Sequence, residues 1–504
     1  MRTLNKIITF FFIALSLYNV CANEKKPNVV LILADDMGYG DVGYHGTRKI
    51  MTPHIDSIAN EGVHFTKAYS SASVCGPSRS GLLTGVYQQR FGAGENMNSS
   101  GFPHDMKFPL AGVPKSQSMV SEMLKAKGYK TGMVGKWHLG MDKSLQPNSR
   151  GYDFYYGFLN GSHDYTAWSN KFAKSKSKWP VFRNYEMEPP AENIYLTDLF
   201  SNEAVQFIDK NHEKPFFLFM SYNSVHHPWQ VPQHYVERVK HLSDIKDTQI
   251  FMAMVLAMDD GIGRVLNKLK EKNISENTIV IFTTDNGTPL GQGLKPGKKD
   301  TTLTYGDHLM SSAGKFRGFK GDTYEGGTRV PLAIKWPNKI KAGQTYTKSV
   351  STLDLVPTIL APLNQQTPSS GFHFDGVDLL PYLQGIKETA PHETLYWRRD
   401  CDYAMLKGKW KITWNDRDHK RTIKLFNLEQ DPFEKMDLAN SMPEKVQTLQ
   451  NEFDAWDSQQ PDNLWWGGPG NRNRGFDKGK RTHVAKFNQN SKAQALASKK
   501  IRQK

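Results

Sequence analysis

The feature that most constrains how this chain folds is an aliphatic run that ends in two aspartates. Residues 28–34 are almost wholly aliphatic, and the pair Asp35-Asp36 follows them directly. A short apolar run of this kind is typical of a parallel strand that is buried on both faces. The run 278–284 has the same character and ends in the pair Asp285-Asn286. The two runs predict that four oxygen-bearing side chains meet at one edge of a parallel sheet.

Helical patterns alternate with strand signals along the first 390 residues. Further strands are predicted at 130–134 and 216–221, and helices at 118–127, 247–272 and 353–360. Ser118 is the expected N-cap of the first of these helices. This alternation predicts an α/β fold with a large central, mostly parallel sheet sandwiched by helices. Ligands bind such sheets at the carboxyl ends of the strands.

The pattern changes after about residue 390. Short strands are predicted at 395–398, 403–407, 410–414 and 422–426, followed by an amphipathic helix at 442–456. We therefore predict a large catalytic domain over 23–390 and a smaller α+β domain with an antiparallel sheet over 391–458. Residues 459–504 are predicted to form a basic C-terminal tail.

Composition excludes several classes of protein. Hydrophobic residues make up 38% of the 504 residues and charged residues 23%, which is typical of a globular chain and not of a collagen-like or disordered one. The formal net charge is +15, and the tail 459–504 alone carries +9. Such a tail either binds an anionic partner or is a solvated end. We predict no nucleic-acid partner for it.

The first 22 residues have the pattern of a signal peptide. Two basic residues precede the apolar run 7–17, and Val20 and Ala22 are small residues at positions suited to cleavage after Ala22. A lipoprotein signal at Cys21 is the alternative. Because the apolar run is short for a membrane span, we predict an exported protein, periplasmic or secreted, without stable membrane insertion.

Two cysteines, Cys75 and Cys401, remain after that cleavage. In an exported protein they can pair in a disulfide. The surroundings of Cys75 favour a chemical role instead. The segment Cys75-Gly76-Pro77-Ser78-Arg79, followed by Thr84-Gly85, resembles the formylglycine signature of type I sulfatases. The resemblance implies that a formylglycine-generating enzyme, or an anaerobic sulfatase-maturating enzyme, oxidises Cys75 to formylglycine.

Other segments extend this resemblance, in the order that the family shows. They include the acidic strand ends, a Gly-Lys-Trp-His-Leu-Gly segment, a late lysine segment and a C-terminal signature. The matching residues are 28–41, 52–56, 135–140, 284–287, 319–321, 324–331, 425–428 and 431–434. The chain therefore resembles formylglycine-dependent sulfatases of the alkaline-phosphatase superfamily, and bacterial polysaccharide sulfatases in particular. The resemblance implies an alkaline-phosphatase-like fold.

A metal site is implied by the same resemblance. Asp35, Asp36, Asp285 and Asn286, together with the formylglycine at position 75, would hold one Ca²⁺ per chain. Hard oxygen ligands of this kind suit a six- or seven-coordinate Ca²⁺, and Mg²⁺ also accepts an all-oxygen shell.

The nucleophile must be regenerated after it has taken up the sulfuryl group. A hydrated aldehyde carries two hydroxyls on one carbon, so one can attack sulfur and the other can expel sulfate. The resemblance implies that Lys136 and Lys320 bind the sulfate and that Arg79 holds the hydrated aldehyde.

Two histidines complete the implied machinery. His138 is the expected base that triggers sulfate expulsion, and His226 is the expected proton donor to the leaving alcohol. His227 lies next to it and is the alternative for this second role.

Aromatic and basic residues outside these motifs are the candidates for contact with the sugar. We propose His163, Trp229 and Arg398 as substrate contacts, and further candidates are Trp168, Trp397, Arg399, Trp465 and Trp466. The predicted substrate is an O-sulfate ester of a carbohydrate, such as the algal polysaccharides ulvan, carrageenan or fucan. Glycosaminoglycans are the alternative substrate class. The alternative functions are a phosphodiesterase or phosphonate hydrolase of the same superfamily, or a sulfated-glycan binding protein without turnover.

Overall fold

A computed structural model describes most of the chain. The described residues are 25–46, 50–97, 111–166, 180–189, 194–289, 311–363, 373–399, 401–415, 422–461 and 463–465. The predicted signal peptide, Trp168, Trp466 and most of the predicted basic tail lie outside these ranges.

A ten-stranded mixed sheet forms the centre of the molecule, in the order β11-β2-β10-β9-β1-β8-β4-β5-β6-β7. The five strands β9, β1, β8, β4 and β5 run parallel, while β10 and β6 pair antiparallel at the two ends of this group. The strands are β1 Asn28–Ala34, β2 Val63–Phe65, β4 Lys130–Lys136, β5 Phe154–Phe158, β6 Phe182–Arg183, β7 Glu186–Met187, β8 Phe216–Ser221, β9 Thr278–Thr284, β10 Leu332–Lys335 and β11 Gln344–Tyr346. A separate pair consists of β3 Ala68–Tyr69 and β12 Val350–Ser351.

Strand β1 is buried along its whole length because strands and helices cover it on every side. Leu31 lies opposite Phe219 of β8 and Ile281 of β9. Alternate residues of β1 belong to two hydrophobic cores, with Val30 in one and Leu31 in the other. Burial on both faces explains why this segment reads as a continuous aliphatic run.

The helices cover both faces of the sheet. They are Pro53–Asn60, Cys75–Thr84, Val120–Ala126, Leu196–Asn211, Gln233–Val239, Lys246–Glu271, Glu325–Thr328, Leu355–Leu360, Leu380–Leu383 and Pro443–Asp457. The predicted N-cap at Ser118 is wrong, because Met119 holds that position. The Glu122 side chain accepts a hydrogen bond from Met119 N at 2.8 Å. This side chain therefore satisfies the backbone N–H of the capping residue, and the helix begins at Val120.

A second, antiparallel sheet follows near the C-terminus. Its strands are β13 Thr394–Arg399, β14 Asp402–Lys407, β15 Trp410–Asn415 and β16 Thr422–Asn427. Helix Pro443–Asp457 packs on it through Phe453, which meets Trp414 at 4.6 Å between ring centroids. The predicted α/β fold with a smaller antiparallel sheet is confirmed. The domain limits at 390 and 458 stay predictions.

A buried charge cluster joins the small sheet to the rest of the protein. Lys411 Nζ lies 2.7 Å from Glu325 Oε1 and 3.1 Å from Glu434 Oε1, and none of the three side chains is exposed. Burial raises the pKa of Glu434 to about 7. Separating the small sheet from the segment that begins at Glu325 would leave buried charges without partners, which is costly. The cluster therefore holds Lys411 of the small sheet against that segment.

Within the described ranges, none of the helices has the length and apolar character needed to cross a membrane.

Candidate active site

The acidic residues that end β1 and β9 meet at one edge of the large sheet. Asn286 Nδ2 donates to Asp36 Oδ1 at 2.8 Å, and Asp36 N donates to Asp285 Oδ1 at 3.2 Å. Asp35, Asp36, Asp285 and Asn286 are all at most 1% exposed. Asp36 has a φ of 64°, which turns the chain sharply at the end of β1. The edge predicted from sequence is therefore formed in the structure.

Cys75 lies beside this acidic edge. It is the first residue of helix Cys75–Thr84 and is 3% exposed. Asp35, Asp36, Cys75 and His226 each offer one potential ligand atom, and these atoms lie within 4.8 Å of one another. Burial raises the pKa of the Cys75 thiol to about 11. The unmodified thiol is thus a poor nucleophile at neutral pH, because the reactive species is the thiolate.

Arg79 lies one helical turn after Cys75 and reaches the same edge. Its Nε donates to Asp285 Oδ2 at 2.8 Å, and its Nη1 donates to Ser221 Oγ at 2.6 Å. Its Nη2 lies 3.7 Å from Asp35 Oδ1. Burial and the nearby Asp35 raise the pKa of Asp285 to about 6 even with Arg79 present. The guanidinium therefore compensates part of a dense cluster of buried negative charge.

Lys136 and Lys320 supply two more cations. Lys136 Nζ lies 2.5 Å from Asp35 Oδ2, and Lys320 Nζ lies 2.6 and 2.8 Å from the two carboxylate oxygens of Asp36. Burial opposes ionisation of Asp36, but the attraction of Lys320 outweighs it and holds the pKa of Asp36 well below its usual range. Burial likewise opposes charge on Lys320, and Asp36 nevertheless raises its pKa.

The backbone before Lys136 requires a glycine. Gly135 has a φ of 104°, and a Cβ there would collide with the carbonyl oxygen of Ser221 on the neighbouring strand. The Ser221 hydroxyl donates to Lys136 O at 2.7 Å. Strand β8 therefore positions both Lys136 and Arg79.

His226 also reaches this edge. His226 Nε2 lies 3.6 Å from Asp36 Oδ2, and its Nδ1 lies 2.6 Å from the carbonyl oxygen of His227. Since a carbonyl only accepts, Nδ1 carries a proton and Nε2 faces the site. His227 is exposed and stacks on His226 with the ring centroids 4.3 Å apart. Burial and the nearby lysines lower the pKa of His226, although Asp36 acts in the opposite direction.

His138 is held in a strained backbone conformation. Its φ is 58°, and a Cβ on Gly161 would lie 2.8 Å from its Nε2. Burial and Lys136 lower the pKa of His138. Non-glycine residues with positive φ are uncommon and concentrate at functional sites.

Two oxygen atoms of the acidic edge fit a hard cation. Asp35 Oδ1 and Asn286 Oδ1 are buried and accept no hydrogen bond within the part of the chain that the structure describes. A buried acceptor without a partner is costly unless another group binds it. Carboxylate and carboxamide oxygens are the ligands that Ca²⁺ and Mg²⁺ prefer, so the donor set fits such an ion.

The predicted sugar contacts come from three separate segments of the sequence. His163 is buried, its Nδ1 lies 2.7 Å from Asp164 O, and its ring packs on Phe158. Trp229 is partly buried against the larger core. Arg398 donates to Asp457 Oδ1 and to Pro461 O, both at 2.7 Å. Substrate contact by these residues remains a prediction. The further candidate Trp397 donates to Ser70 O from a buried position.

One loop beside Cys75, which carries Glu95 and Asn96, was not predicted from the sequence. Asn96 Oδ1 accepts a hydrogen bond from Gly76 N at 2.8 Å, and Glu95 Oε1 lies 3.1 Å from Arg399 Nε. No motif or periodicity marks Glu95 or Asn96, so the sequence carried no signal for them.

Comparisons with known proteins agree with this geometry. The Sulfatase family profile matches residues 27–364. The chain belongs to the sulfatase family. It is 33% identical to the N-acetylgalactosamine-6-sulfatase of Mus musculus over 414 residues, which cover 78% of this chain and 73% of that protein. It is 28% identical to the N-acetylgalactosamine-6-O-sulfatase of Bacteroides thetaiotaomicron, with 85% and 92% covered.

A solved structure is also similar. The crystal structure of Ps i-CgsB in complex with k-i-k-neocarrahexaose matches with a TM-score of 0.76 and 32% identity, covering 88% of this chain and 96% of that one. As a sulfatase, the chain is a sulfuric ester hydrolase, so the predicted enzyme class and alkaline-phosphatase-like fold are confirmed.

Proposed function

We propose that this sulfatase removes O-sulfate groups from a sulfated algal polysaccharide or its oligosaccharides, with carrageenan as the leading candidate. The observation that carries the proposal is the likeness to Ps i-CgsB, which was crystallised with a neocarrahexaose and matches across 88% of this chain. Ulvan and fucan belong to the same class of anionic algal polymer and are part of the proposal.

The nucleophile in this proposal is formylglycine made from Cys75. Its hydrated form offers one hydroxyl for attack on sulfur and a second for expulsion of sulfate, which a serine does not. The position at the first turn of a helix, buried near three aspartates and two lysines, supports the assignment. The raised pKa of the thiol argues against direct use of an unmodified cysteine.

Asp35, Asp36, Asp285 and Asn286 would hold the Ca²⁺ ion, and the unpartnered oxygens of Asp35 and Asn286 support that assignment. When bound, such an ion supplies Lewis acidity at the reacting oxygens. Arg79 fixes the ligand set, because it donates to Asp285 and lies beside Asp35.

The cations of this chain then stabilise the transferring group. Lys136 and Lys320 each pair with one member of the acidic pair, Lys136 with Asp35 and Lys320 with Asp36. An ammonium aimed at developing charge in a dry site contributes far more than it would in water. We assign both lysines to the sulfate oxygens.

Two histidines move protons. His226 presents Nε2 toward the site, because its Nδ1 proton is donated to the carbonyl of His227. We assign to Nε2 the protonation of the leaving sugar oxygen, for which the imidazole must carry a second proton on Nε2. The carboxylate of Asp36, 3.6 Å from Nε2, favours that protonated form. His138, two residues after Lys136, is assigned as the base for sulfate expulsion. His227, the alternative, is exposed and turned toward solvent.

The test is turnover together with mass spectrometry. The protein, coexpressed with a formylglycine-generating enzyme, is assayed on carrageenan, ulvan, fucan and glycosaminoglycan oligosaccharides by release of sulfate. We expect sulfate from at least one algal substrate, and a Cys75 peptide lighter by about 18 Da than the cysteine form, as the covalent route requires. Activity confined to glycosaminoglycans would overturn the proposed substrate, and activity with an unmodified cysteine would overturn the mechanism.

A glycosaminoglycan substrate is the second candidate. The observation that favours it is the likeness to N-acetylgalactosamine-6-sulfatases, one of them bacterial. The same panel separates the two candidates, since matched oligosaccharides differ in their sugars and not in the ester that is cleaved.

Export and maturation complete the proposal. The signal peptide predicted at 1–22 lies outside the described residues, and we propose periplasmic or secreted action on the strength of the polymeric substrate. A maturation enzyme must act before the fold closes, because Cys75 is 3% exposed in the folded chain.

A further inference from the structure

A further cation, partly exposed, lies next to the segment that carries Lys320. Arg399 ends strand β13, and its Nη1 donates to Gly321 O at 3.1 Å. Gly321 follows Lys320 in the chain, and its own N–H donates to Ser73 O at 2.8 Å. Ser73 lies two residues before Cys75. The guanidinium of Arg399 therefore contacts backbone next to Lys320, and that backbone is hydrogen-bonded to a residue two positions before Cys75.

A buried carboxylate fixes Arg399 from the other side. Arg399 Nε lies 3.1 Å from Glu95 Oε1, and the Glu95 side chain is 1% exposed while that of Arg399 is 16% exposed. The next residue, Asn96, accepts a hydrogen bond from Gly76 N. Arg399 is thus placed between two segments that both adjoin Cys75, with part of its surface open to solvent.

The loop that carries Glu95 is itself anchored by the C-terminal segment. Trp465 is 3% exposed and donates from Nε1 to Glu95 O at 2.6 Å. Leu464 N donates to Gly92 O at 2.8 Å. These contacts hold the carboxylate in place, so the guanidinium is pre-organised rather than free to swing into solvent.

Strand geometry separates Arg399 from its neighbour. Successive side chains of a strand point to opposite faces, so Arg398 and Arg399 leave β13 in different directions. Arg398 is satisfied by Asp457 and Pro461. Arg399 donates from Nη1 to Gly321 O, and its Nε forms an ion pair with Glu95 without a hydrogen bond. Among the described residues its Nη2 donates to no protein group. A guanidinium has five N–H donors, so Arg399 retains donors for a ligand.

We propose that Arg399 recognises a second sulfate group of the substrate, beside the sulfate that is hydrolysed. This inference rests on the proposed function and narrows it to substrates that carry two neighbouring sulfates. The planar fork of arginine matches the paired oxygens of a sulfate, and such charge-assisted bonds are stronger than neutral ones. Glu95 acts as the positioning residue, because it orients the guanidinium without reaching the ligand.

Binding to an inactive variant tests the inference directly. Titration calorimetry compares Cys75→Ala with the double variant Cys75→Ala/Arg399→Ala, each with carrageenan oligosaccharides of equal length bearing one or two sulfates per disaccharide. We expect Cys75→Ala to prefer the doubly sulfated ligand. Arg399→Ala should weaken that ligand about tenfold more than the singly sulfated one, since a hydrogen bond to a charged group is involved.

Two further variants provide controls. Arg238→Ala removes an exposed arginine that pairs with Asp260, and it should leave the ratio of the two affinities unchanged. Arg399→Lys keeps the charge but loses the fork, and we expect an intermediate ratio. Equal affinity of Cys75→Ala for both ligands, or an equal loss for both in Arg399→Ala, would overturn the role of Arg399.

Turnover by the matured wild-type enzyme keeps the two proposals distinguishable. If no sulfated algal saccharide releases sulfate, the proposed function fails. If such saccharides are hydrolysed while Arg399→Ala leaves the ratio of their kcat/KM values unchanged, the inference about Arg399 fails and the proposed function stands.

Discussion

Lys136 Nζ lies 2.5 Å from Asp35 Oδ2, and neither side chain is exposed to solvent. The ammonium therefore neutralises a carboxylate that we assign to the metal, and we assign the same ammonium to the sulfate oxygens. A cation in this position serves both the ligand set and the transferring group, so its loss should affect both.

The first prediction is that Lys136→Met lowers kcat/KM for a sulfated oligosaccharide by on the order of a hundredfold or more, because it removes a cation aimed at developing charge. It should also destabilise the fold by about 3 kcal/mol, since Asp35 loses its closest buried partner. Steady-state kinetics and thermal unfolding measure the two effects. Lys125→Met is the control, because Lys125 is half exposed and pairs with Asp153. Wild-type kcat in Lys136→Met would contradict the assignment.

The second prediction concerns the nucleophile. Cys75→Ala should retain the fold and lose turnover, because the covalent route is gone. Cys75→Ser should be inactive or turn over once, provided that the coexpressed maturation enzyme does not convert serine. Sulfate release and circular dichroism are the measurements. A Cys75→Ala enzyme with even a tenth of the wild-type kcat would be incompatible with formylglycine chemistry.

The third prediction is that metal removal inactivates the enzyme and Ca²⁺ restores it. The orphaned oxygens of Asp35 and Asn286 become satisfied when an ion binds, so Ca²⁺ should also raise the Tm of the chelated protein. Differential scanning calorimetry after exhaustive chelation measures this shift without any assay of turnover. Asp36→Asn should abolish the shift. Asp259→Asn, in a separate His and Asp cluster, should retain it. Full activity of a protein shown to be metal-free would rule out the metal.

Much of the site could be predicted because its residues sit at places that simple rules identify. Asp35 and Asp285 end buried aliphatic strands, and parallel strands bring their carboxyl ends to one edge. The choice between Arg398 and Arg399 could not be made that way. It depends on which face of β13 meets Glu95, and Glu95 lies in a loop without periodicity, about 300 residues away in the sequence.

The order of the strands in the large sheet likewise could not be predicted from the sequence. Each apolar run is compatible with several neighbours, and the antiparallel position of β10 beside β9 follows only from packing in three dimensions. The N-cap at Met119 is a local feature that residue propensity did not predict. Propensity favours serine as a cap, but the reach of Glu122 back to Met119 decided the boundary.

The fourth prediction concerns pH and a carboxyl outside the site. Burial raises the pKa of Asp259 to about 7, against an ordinary value of 3.8, although it accepts hydrogen bonds from His54 N and Ile55 N. Between these two pH values the folded chain holds a proton that the unfolded chain has released. The free energy of unfolding therefore falls as pH rises through this window.

Asp259→Asn should remove that loss, because the amide oxygen can still accept from both N–H groups and never ionises. We expect the variant to be more stable than wild type at pH 8 by on the order of 2 kcal/mol, and similar to it near pH 4. Thermal unfolding across this pH range is the measurement, and Asp260→Asn, which removes a charge paired with Arg238, is the control. A constant offset between wild type and Asp259→Asn at every pH would show that the carboxyl does not titrate there.

The fifth prediction concerns the basic tail. Residues 459–504 carry +9 of the net charge of +15, so the tail should attract a polysulfated chain over long range. Deleting 471–504 should lower kcat/KM on a polymer at low salt and leave hydrolysis of a short oligosaccharide as before. The effect should fade at high NaCl, because screening shortens to about 8 Å at physiological ionic strength.

The variant Trp465→Ala is the comparison for this tail deletion. Trp465 donates to Glu95 O and is buried beside the loop that adjoins Cys75, so Trp465→Ala should impair short and polymeric substrates alike, at any salt concentration. The comparison separates a tail that recruits polymer from a segment that builds the site. If the deletion leaves polymer hydrolysis unchanged at low salt, the tail is a solvated end. If it impairs short substrates as strongly as Trp465→Ala does, residues beyond 470 belong to the catalytic fold, and the predicted boundary at 459 is wrong.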